Sequence, residues 1–316
     1  MIVFGPIPSR RLGRSLGINN IPYKHCSYSC VYCQLGPTNA MTSACSEFFS
    51  PDQVFDAVKL RIEELKTAGE TIDYLTFVSD GEPTLDSQLG ASINKLKPLG
   101  YKIAVITNSS LLSLVSVRNA LLCADWVSLK VDAASSTVWR KINRPHGSLD
   151  LKEIENGMTS FASRFTGALV TETMLVKDMN DTVSSIRETA EIIRRLNPRT
   201  SYILIPTRPP AVESVVPAEA SAVTAAYQIF KEFNLDTELV LNAESDQFTC
   251  CSDTESELLN ILSVHPMRKD AVITFLSRSH SGWDVIERLI KESTVKEVNY
   301  NNELFIVRTF GSSSIS

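Results

Sequence analysis

The chain has 316 residues, enough for one barrel-sized domain and a small additional unit. Apolar residues make up 43% of it and charged residues 21%, and the net charge of −5 excludes a general electrostatic attraction to nucleic acid. No apolar run approaches the roughly 20 residues of a membrane helix, and the N-terminus lacks a signal-peptide pattern, so we expect a cytoplasmic protein. Seven cysteines fit a reducing compartment better than a disulfide framework.

Short apolar runs alternate with helical patterns over the first three quarters of the chain. We expect strands at 16–21, 72–78, 102–107, 126–132, 167–176 and 201–206. The helical patterns cover 51–67, 86–97, 111–123, 150–163, 182–196 and 217–232. This alternation predicts an α/β fold with a parallel sheet, in the form of a partial (β/α)6 TIM-like barrel. Such barrels carry function at the C-terminal ends of their strands.

The pattern changes near residue 242. A polar, aperiodic stretch over 242–256 is typical of a linker, which bounds a barrel domain over 1–241. Three short helical patterns and the hairpin VKEVNY–NN–ELFIVRTF predict a small winged-helix-like domain over 257–310. We expect the tail, 311–316, to be disordered.

Three cysteines lie close together as C-x3-C-x2-C, at Cys26, Cys30 and Cys33, and Tyr32 precedes the third. Three thiolates on one tight loop suit an iron–sulfur cluster in which one iron has no protein ligand. A zinc site, with His25 as fourth ligand, is the alternative. The remaining cysteines do not form a second such set, although Cys250 and Cys251 could join another metal site.

The spacing C-x3-C-x-aromatic-C resembles the signature of the radical S-adenosylmethionine (SAM) superfamily. The stretch 5–38 is similar to an uncharacterised group related to the tRNA wyosine-base synthases. The resemblance implies one three-cysteine [4Fe–4S] cluster, with SAM bound at its open iron. It also implies reductive cleavage of SAM to a 5′-deoxyadenosyl radical, hydrogen abstraction from a substrate, and a reductant such as flavodoxin or ferredoxin.

The resemblance also indicates which residues bind SAM. Its Gly-Glu pair corresponds to Gly81 and Glu82 in the motif SDGEPTL, where an acidic group meets the SAM ammonium. Asn108 and Ser109, after the third predicted strand, correspond to ligands of the ribose. The alternatives are a surface turn for the first motif and a helix cap for the second.

Three later strand ends complete the expected site. Lys130 is the candidate for the SAM carboxylate, with a structural pair to Asp132 as the alternative. Glu172 should point into the barrel as a candidate for the SAM or substrate pocket, with an ordinary strand-end residue as the alternative, and the backbone near Ile205 is expected to border the adenine. The candidate substrate residues are Arg10, Arg11, Arg14 and Arg208, which suit an anionic group such as phosphate. For the three N-terminal arginines the alternative is a solvated or salt-bridged surface turn.

Sequence alone leaves the substrate open. An RNA-modifying enzyme is the first hypothesis, by analogy with the wyosine synthases and because of the arginine cluster. A peptide-modifying enzyme, with the winged helix as leader-binding module, is the second. A non-enzymatic iron–sulfur sensor or regulator is the third.

Overall fold

The structure, a computed structural model, describes residues 2–241, 248 and 253–309. Most of the expected linker, the expected tail, and both Cys250 and Cys251 lie outside the described residues. The strands of the described part are β1 (Val3–Ser9), β2 (Gly13–Ile18), β3 (His25–Cys26), β4 (Ala40–Met41), β5 (Tyr74–Phe77), β6 (Lys102–Thr107), β7 (Trp126–Lys130), β8 (Ala168–Met174), β9 (Thr200–Leu204), β10 (Thr237–Val240), β11 (Met267–Arg268), β12 (Val295–Tyr300) and β13 (Glu303–Arg308).

The helices follow the predicted alternation. They are α1 (Pro51–Thr67), α2 (Leu89–Leu96), α3 (Val115–Leu121), α4 (Ser136–Ile142), α5 (Leu151–Ala162), α6 (Val183–Leu196), α7 (Ala220–Glu232), α8 (Thr254–Val264), α9 (Lys269–Arg278) and α10 (Asp284–Lys291). Two short 3₁₀ helices cover Pro83–Leu85 and Lys97–Leu99. No helix of the described part is both long and apolar enough to span a membrane.

One eight-stranded sheet forms the centre of the molecule, in the order β1-β2-β5-β6-β7-β8-β9-β10. The hairpin pair β1–β2 is antiparallel, and every later neighbour pair in this sheet is parallel. Side chains from β1 through β10 line one common cleft, so the sheet curls around it. The predicted parallel α/β barrel is therefore confirmed.

Local sequence explains the boundaries of the best-predicted helix. Ser50 caps α1 through a capping box with Gln53, and Pro51 occupies the first turn, where a missing N–H has no consequence. The inner face of the helix buries Val54, Val58 and Leu65 against the sheet. The observed helix has the same bounds as the predicted one.

Two strands of the main sheet were not predicted. β1 contains Pro6 and Pro8, which obscure a strand pattern but are tolerated at the edge of a sheet. At the other edge, β10 has only four residues, and Glu238 interrupts their apolar pattern. The seven-residue helix α4 was missed as well, because its length leaves little periodic signal.

The C-terminal unit contains α8, α9 and α10 and a small sheet in the order β11-β13-β12. The three helices and the final hairpin agree with the prediction, and β11 is an additional short strand. The winged-helix assignment and the domain boundary stay predictions. This unit has its own apolar cluster, yet Ile7 of β1 also packs against it. Arg61 of α1 forms a buried ion pair with Glu257 of α8, at 2.7 Å.

Candidate cofactor site

A cleft of about 370 Å³ lies inside the curled sheet. It is lined by all three cysteines of the motif and by side chains from most strands of the barrel. Of the expected site residues it brings together Arg10, Arg11, Cys26, Cys30, Tyr32, Cys33, Gly81, Glu82, Asn108, Lys130, Glu172, Ile205 and Arg208. Ser109 and Arg14 are not among the lining residues. Strand-end residues that are far apart in sequence thus share one cavity, as expected for a parallel barrel.

The cysteine loop is held by backbone hydrogen bonds to two neighbouring segments. The amide of Val31 donates to the carbonyl of Ile142 at 2.9 Å, which ties the loop to the end of α4. On the other side, the amide of Glu82 donates to the carbonyl of His25 at 3.0 Å. These hydrogen bonds connect the cysteine loop both to the end of α4 and to the segment that carries Glu82.

Gly81 allows the closest approach between these segments. A Cβ atom at this position would lie 1.8 Å from the carbonyl oxygen of His25, so only glycine fits. The glycine of the Gly-Glu pair is therefore required by backbone packing, independently of any ligand.

Two asparagine side chains donate to cysteine sulfurs. Nδ2 of Asn108 lies 3.5 Å from Sγ of Cys26, and Nδ2 of Asn143 lies 3.4 Å from Sγ of Cys30. Burial raises the pKa of the Cys26 thiol, and burial together with the charge of Asp132 raises that of Cys30 to about 12. N–H donors on sulfur are what a thiolate-bound cluster needs in order to disperse its negative charge.

The third sulfur has a cationic neighbour. The ammonium nitrogen of Lys24 lies 3.4 Å from Sγ of Cys33 and 2.5 Å from the carbonyl oxygen of Gly36. Lys24 is only 2% exposed, one of the largest fully buried side chains of the described residues. Sequence reasoning missed it, because a single lysine beside a motif carries no periodic signal.

The residues present fit an iron–sulfur cluster better than a zinc ion. No three histidine, cysteine or acidic side chains of the described residues converge closely enough to hold a single ion. The ring of His25, the expected fourth zinc ligand, instead packs edge-on against Phe48 at 5.6 Å between centroids. Three separated thiols, each with an N–H donor, suit the larger dimensions of a cluster.

Glu82 is buried and its carboxylate already has protein partners. Oε1 accepts hydrogen bonds from the amide and hydroxyl of Thr84 and from the hydroxyl of Thr107, and Oε2 accepts one from the amide of Asn108. Burial raises its pKa, and these hydrogen bonds oppose that rise. Glu82 therefore connects the loop after β5 to the end of β6, and among the described residues Oε2 accepts a single hydrogen bond whereas Oε1 accepts three.

Asn108 and Ser109 have different surroundings. Asn108 lines the cleft, and its Nδ2 also donates to the hydroxyl of Ser27 at 3.0 Å. Ser109 has a positive φ of 69° and is 1% exposed, and its hydroxyl finds no partner among the described residues. Ser109 is thus not among the residues that line the cleft, and its role toward the ribose stays a prediction.

Lys130 lines the cleft. It does not form the structural ion pair with Asp132 that was the alternative to a ligand role. The Lys130 nitrogen lies 5.0 Å from the centroid of the Tyr32 ring, within cation–π range. The carboxylate of Asp132 accepts hydrogen bonds from the Tyr32 hydroxyl, the Asn143 side chain and the amide of Met174. Asp132 thereby positions Tyr32, and Lys130 remains directed at the cavity.

Glu172 pairs with Arg11 across the cleft. Its carboxylate Oε1 also accepts a hydrogen bond from the Ser128 hydroxyl at 2.7 Å. Burial by itself raises the pKa of this carboxyl, but the charges of Arg11 and Lys130 outweigh burial, and the pKa of Glu172 is lowered. Arg11 is therefore committed to an internal ion pair.

The four arginines do not form one cluster. Arg14 lies at the start of β2, away from the cleft, where it pairs with Glu70 and donates to the carbonyl of Thr71 at 2.9 Å. Its neighbour Ser15 lines the cleft, and alternation along β2 turns Arg14 to the other face of the sheet, so a role of Arg14 toward a substrate stays a prediction. Arg10 and Arg208 do line the cleft.

The C-terminal unit contributes one wall of the cleft, which sequence reasoning did not foresee. Val264 and His265, at the end of α8, line it. Gln34, next to Cys33, donates to the carbonyl of Val264 at 2.8 Å. Nη2 of Arg208 lies 2.9 Å from Nε2 of His265, so this imidazole nitrogen accepts the hydrogen bond. Burial and the charge of Arg208 hold the pKa of His265 well below its usual value.

Comparison with known proteins agrees with this arrangement. The family model of the radical SAM superfamily matches residues 20–193, which is more than half of the chain. The chain therefore belongs to the radical SAM superfamily and, within it, to the UPF0026 proteins. It is 42% identical to the UPF0026 protein MJ1312 of Methanocaldococcus jannaschii over 313 residues, covering 98% of this chain and 97% of that protein.

Two solved structures align with this chain, and the first of them is similar in fold. A radical SAM methyltransferase from Sphaerobacter thermophilus aligns with a TM-score of 0.54 and 13% identity, over 72% of this chain and 66% of that chain. TYW1 with a lysine-pyruvate adduct bound aligns with a TM-score of 0.48 and 12% identity, over 92% of this chain and 79% of that chain. Family membership confirms the predicted radical SAM enzyme class, which implies a [4Fe–4S] cluster and SAM, and gives no support to a non-enzymatic sensor.

Proposed function

We propose that Cys26, Cys30 and Cys33 ligate a single [4Fe–4S] cluster and that SAM binds beside it in the cleft. The observation that carries this proposal is that all three thiols and the polar strand ends line one cavity of about 370 Å³. When bound, the cluster supplies the electron that cleaves SAM to methionine and a 5′-deoxyadenosyl radical. The residues of the chain position both groups and exclude water from them.

Each group of lining residues has a proposed task toward SAM. Oε2 of Glu82 accepts from the SAM ammonium, and Lys130 meets its carboxylate. Asn108 borders the ribose and Ile205 the adenine. Ser109 has no part in this proposal, because it is not among the residues that line the cleft.

Apolar side chains complete the cavity and keep water out. The cleft is lined by Phe4, Ile7, Leu12, Ile106 and Leu204 in addition to its polar residues. A dry, largely apolar lining suits a reaction in which a carbon radical must reach substrate before solvent.

For the substrate we propose an anionic molecule, with RNA as first candidate. Arg10 and Arg208 line the cleft, and guanidinium groups recognise phosphate by paired hydrogen bonds. The net charge of −5 means that RNA would have to bind through this local cationic lining.

A peptide substrate is the second candidate, favoured by one specific observation. The strand β12 is an edge of the C-terminal sheet, and Lys296, Glu297 and Asn299 on it are exposed. An exposed edge of this kind can pair with an extended peptide by strand addition.

The experiment is anaerobic reconstitution followed by measurement of iron, sulfide and 5′-deoxyadenosine. We expect about four irons and four sulfides per chain and slow SAM cleavage after reduction. Replacing any of Cys26, Cys30 or Cys33 by Ala should abolish both, whereas Cys123→Ala, outside the cleft, should change neither. A cluster that persists in the triple alanine variant would refute the ligand assignment.

The substrate class is tested by adding candidate molecules to the reduced enzyme. Total tRNA and a cytosolic peptide fraction are compared as stimulants of 5′-deoxyadenosine formation. Stimulation by tRNA alone supports the RNA proposal, and stimulation by peptide alone replaces it by the second candidate.

A further inference from the structure

Lys24 differs from the other two donors to the cysteine sulfurs because it carries a full charge. Asn108 and Asn143 are neutral amides on Cys26 and Cys30. The ammonium of Lys24 lies 3.4 Å from the sulfur of Cys33. The sequence motif does not account for this residue, and the proposed handling of SAM does not use it.

The backbone holds Lys24 firmly in this position. Its amide donates to the carbonyl of Asp80 at 2.8 Å, and its carbonyl accepts from the amide of Ala40 at 3.2 Å. Its φ of 56° lies in the left-handed region, which non-glycine residues seldom adopt. The chain thus keeps a lysine in an uncommon conformation, and its side chain is directed inward.

A buried ammonium is costly unless it is compensated by nearby acceptors or negative charge. Lys24 is 2% exposed, and its acceptors are the carbonyl of Gly36 and the sulfur of Cys33. Burial raises the pKa of the Asp80 carboxyl, and the charge of Lys24 is among the interactions that oppose this rise. A thiolate-ligated cluster would supply the strongest negative charge in contact with the ammonium.

We propose that Lys24 is a positioning residue that sets the reduction potential of the cluster held by Cys26, Cys30 and Cys33. The inference rests on the proposed function, since it requires the cluster. Reduction adds one negative charge to the cluster, and a fixed cation against a ligand sulfur stabilises that charge. Lys24 therefore makes the cluster easier to reduce than the same cluster with three neutral donors.

The test compares the reconstituted full-length chain with three variants. Lys24→Met removes the charge with an unbranched side chain one atom shorter, Lys24→Arg keeps the charge, and Lys102→Met removes an exposed charge at the start of β6. Iron content and visible absorbance report cluster assembly, and a redox titration followed by electron paramagnetic resonance gives the midpoint potential.

The expected result is a lower potential in Lys24→Met only. We expect at least a tenfold shift of the one-electron equilibrium toward the oxidised cluster, which corresponds to about 59 mV. Lys24→Arg should restore most of the difference, and Lys102→Met should match the wild-type chain. If Lys24→Met assembles the cluster and the cluster has the wild-type midpoint potential, the inference is overturned. Lys24 would then only stabilise the loop through its hydrogen bond to the carbonyl of Gly36.

A further variant tests the inference if Lys24→Met fails to assemble a cluster. If Lys24→Met binds no cluster, Lys24→Gln removes the charge and keeps an N–H donor on a side chain one bond shorter than lysine. A lowered potential in Lys24→Gln supports the inference, and an unchanged one overturns it. Loss of the cluster from both variants also overturns it, by assigning Lys24 to loop folding. A wild-type chain without a cluster is a different result, which contradicts the proposed function itself.

Discussion

Arg11, in the turn between β1 and β2, forms an ion pair with Glu172 of β8 across the interior of the cleft. The two side chains are 13% and 6% exposed, so the pair is shielded from solvent. Because the residues come from distant parts of the sheet, the pair fixes how far the first hairpin curls toward the later strands. It joins the edge of the sheet to its middle without a backbone hydrogen bond.

Removing one partner of this pair should destabilise the fold. Arg11→Met leaves the Glu172 carboxylate buried without its cation, and we expect a loss of about 3–5 kcal/mol in the free energy of unfolding. Urea denaturation followed by circular dichroism measures it. The double variant Arg11→Met/Glu172→Gln should recover part of the loss, whereas Arg14→Met, at an exposed pair, should change stability by about 1 kcal/mol or less. Equal effects of the two arginine variants would contradict the structure.

The Arg11–Glu172 pair should make the free energy of unfolding depend on pH in the acid range. The pKa of Glu172 is lowered in the folded state, so its stabilising effect is fully present above the ordinary glutamate pKa. That contribution is lost as the pH falls through the lowered value. Urea midpoints measured from pH 7 down to about pH 3 should show a loss below the ordinary glutamate pKa, and this loss should be smaller in Arg11→Met. An unchanged pH profile would mean that the pair does not form in solution.

Glu82 should affect both stability and SAM affinity. Glu82→Ala leaves the donors of Thr84, Thr107 and Asn108 buried without their acceptor, and we expect a loss of about 1–3 kcal/mol in the free energy of unfolding. We also expect weaker SAM binding by calorimetry, with iron content unchanged. Glu82→Gln, which keeps the shape, should bind SAM weakly and retain more stability. Normal SAM affinity in Glu82→Ala would leave the residue with its structural role alone.

The arginines of the cleft should determine substrate binding. Arg10→Ala and Arg208→Ala should each weaken binding of an RNA substrate and flatten its salt dependence by a slope of about one per phosphate contact. Arg14→Ala is the matched control, because that residue lies away from the cleft. Fluorescence anisotropy at several salt concentrations measures both quantities. An Arg14→Ala effect as large as the others would show that a different surface binds the substrate.

The C-terminal unit should be needed for substrate turnover and for part of the stability. A chain ended at residue 241 keeps the three cysteines and their N–H donors, so we expect it to hold a cluster and cleave SAM slowly. It loses the wall formed by Val264 and His265 and the partner of Arg61. We therefore expect no substrate turnover and a lower urea midpoint. A truncated chain without a cluster would place 253–309 within the barrel core.

The cysteines and strand ends were predictable because each has a local signal. The motif C-x3-C-x2-C is contiguous, and the side chains of Glu82, Asn108 and Lys130 follow apolar runs that end at one edge of a parallel sheet. Periodicity also predicted the three C-terminal helices and the final hairpin. The roles of these residues toward ligands stay predictions.

The remaining features depend on contacts between distant segments. The charge of Arg11 predicted a surface phosphate site, yet its partner Glu172 lies 161 residues away and no local pattern links them. Arg14 was grouped with its sequence neighbours, although its neighbour Ser15 lines the cleft and alternation along β2 turns Arg14 to the opposite face of the sheet. His265 and Lys24 entered the site only through folding of the chain around the cleft.

The close approach of Gly81 to the carbonyl of His25 couples the cysteine loop to the loop that carries Gly81 and Glu82. The amides of Lys24 and Glu82 each bond across the same seam, at 2.8 and 3.0 Å. Neither loop can shift without carrying the other, so the thiols and the Gly-Glu segment keep a fixed spacing. Any larger side chain at residue 81 would push the two loops apart, and with them the thiols and the Gly-Glu segment.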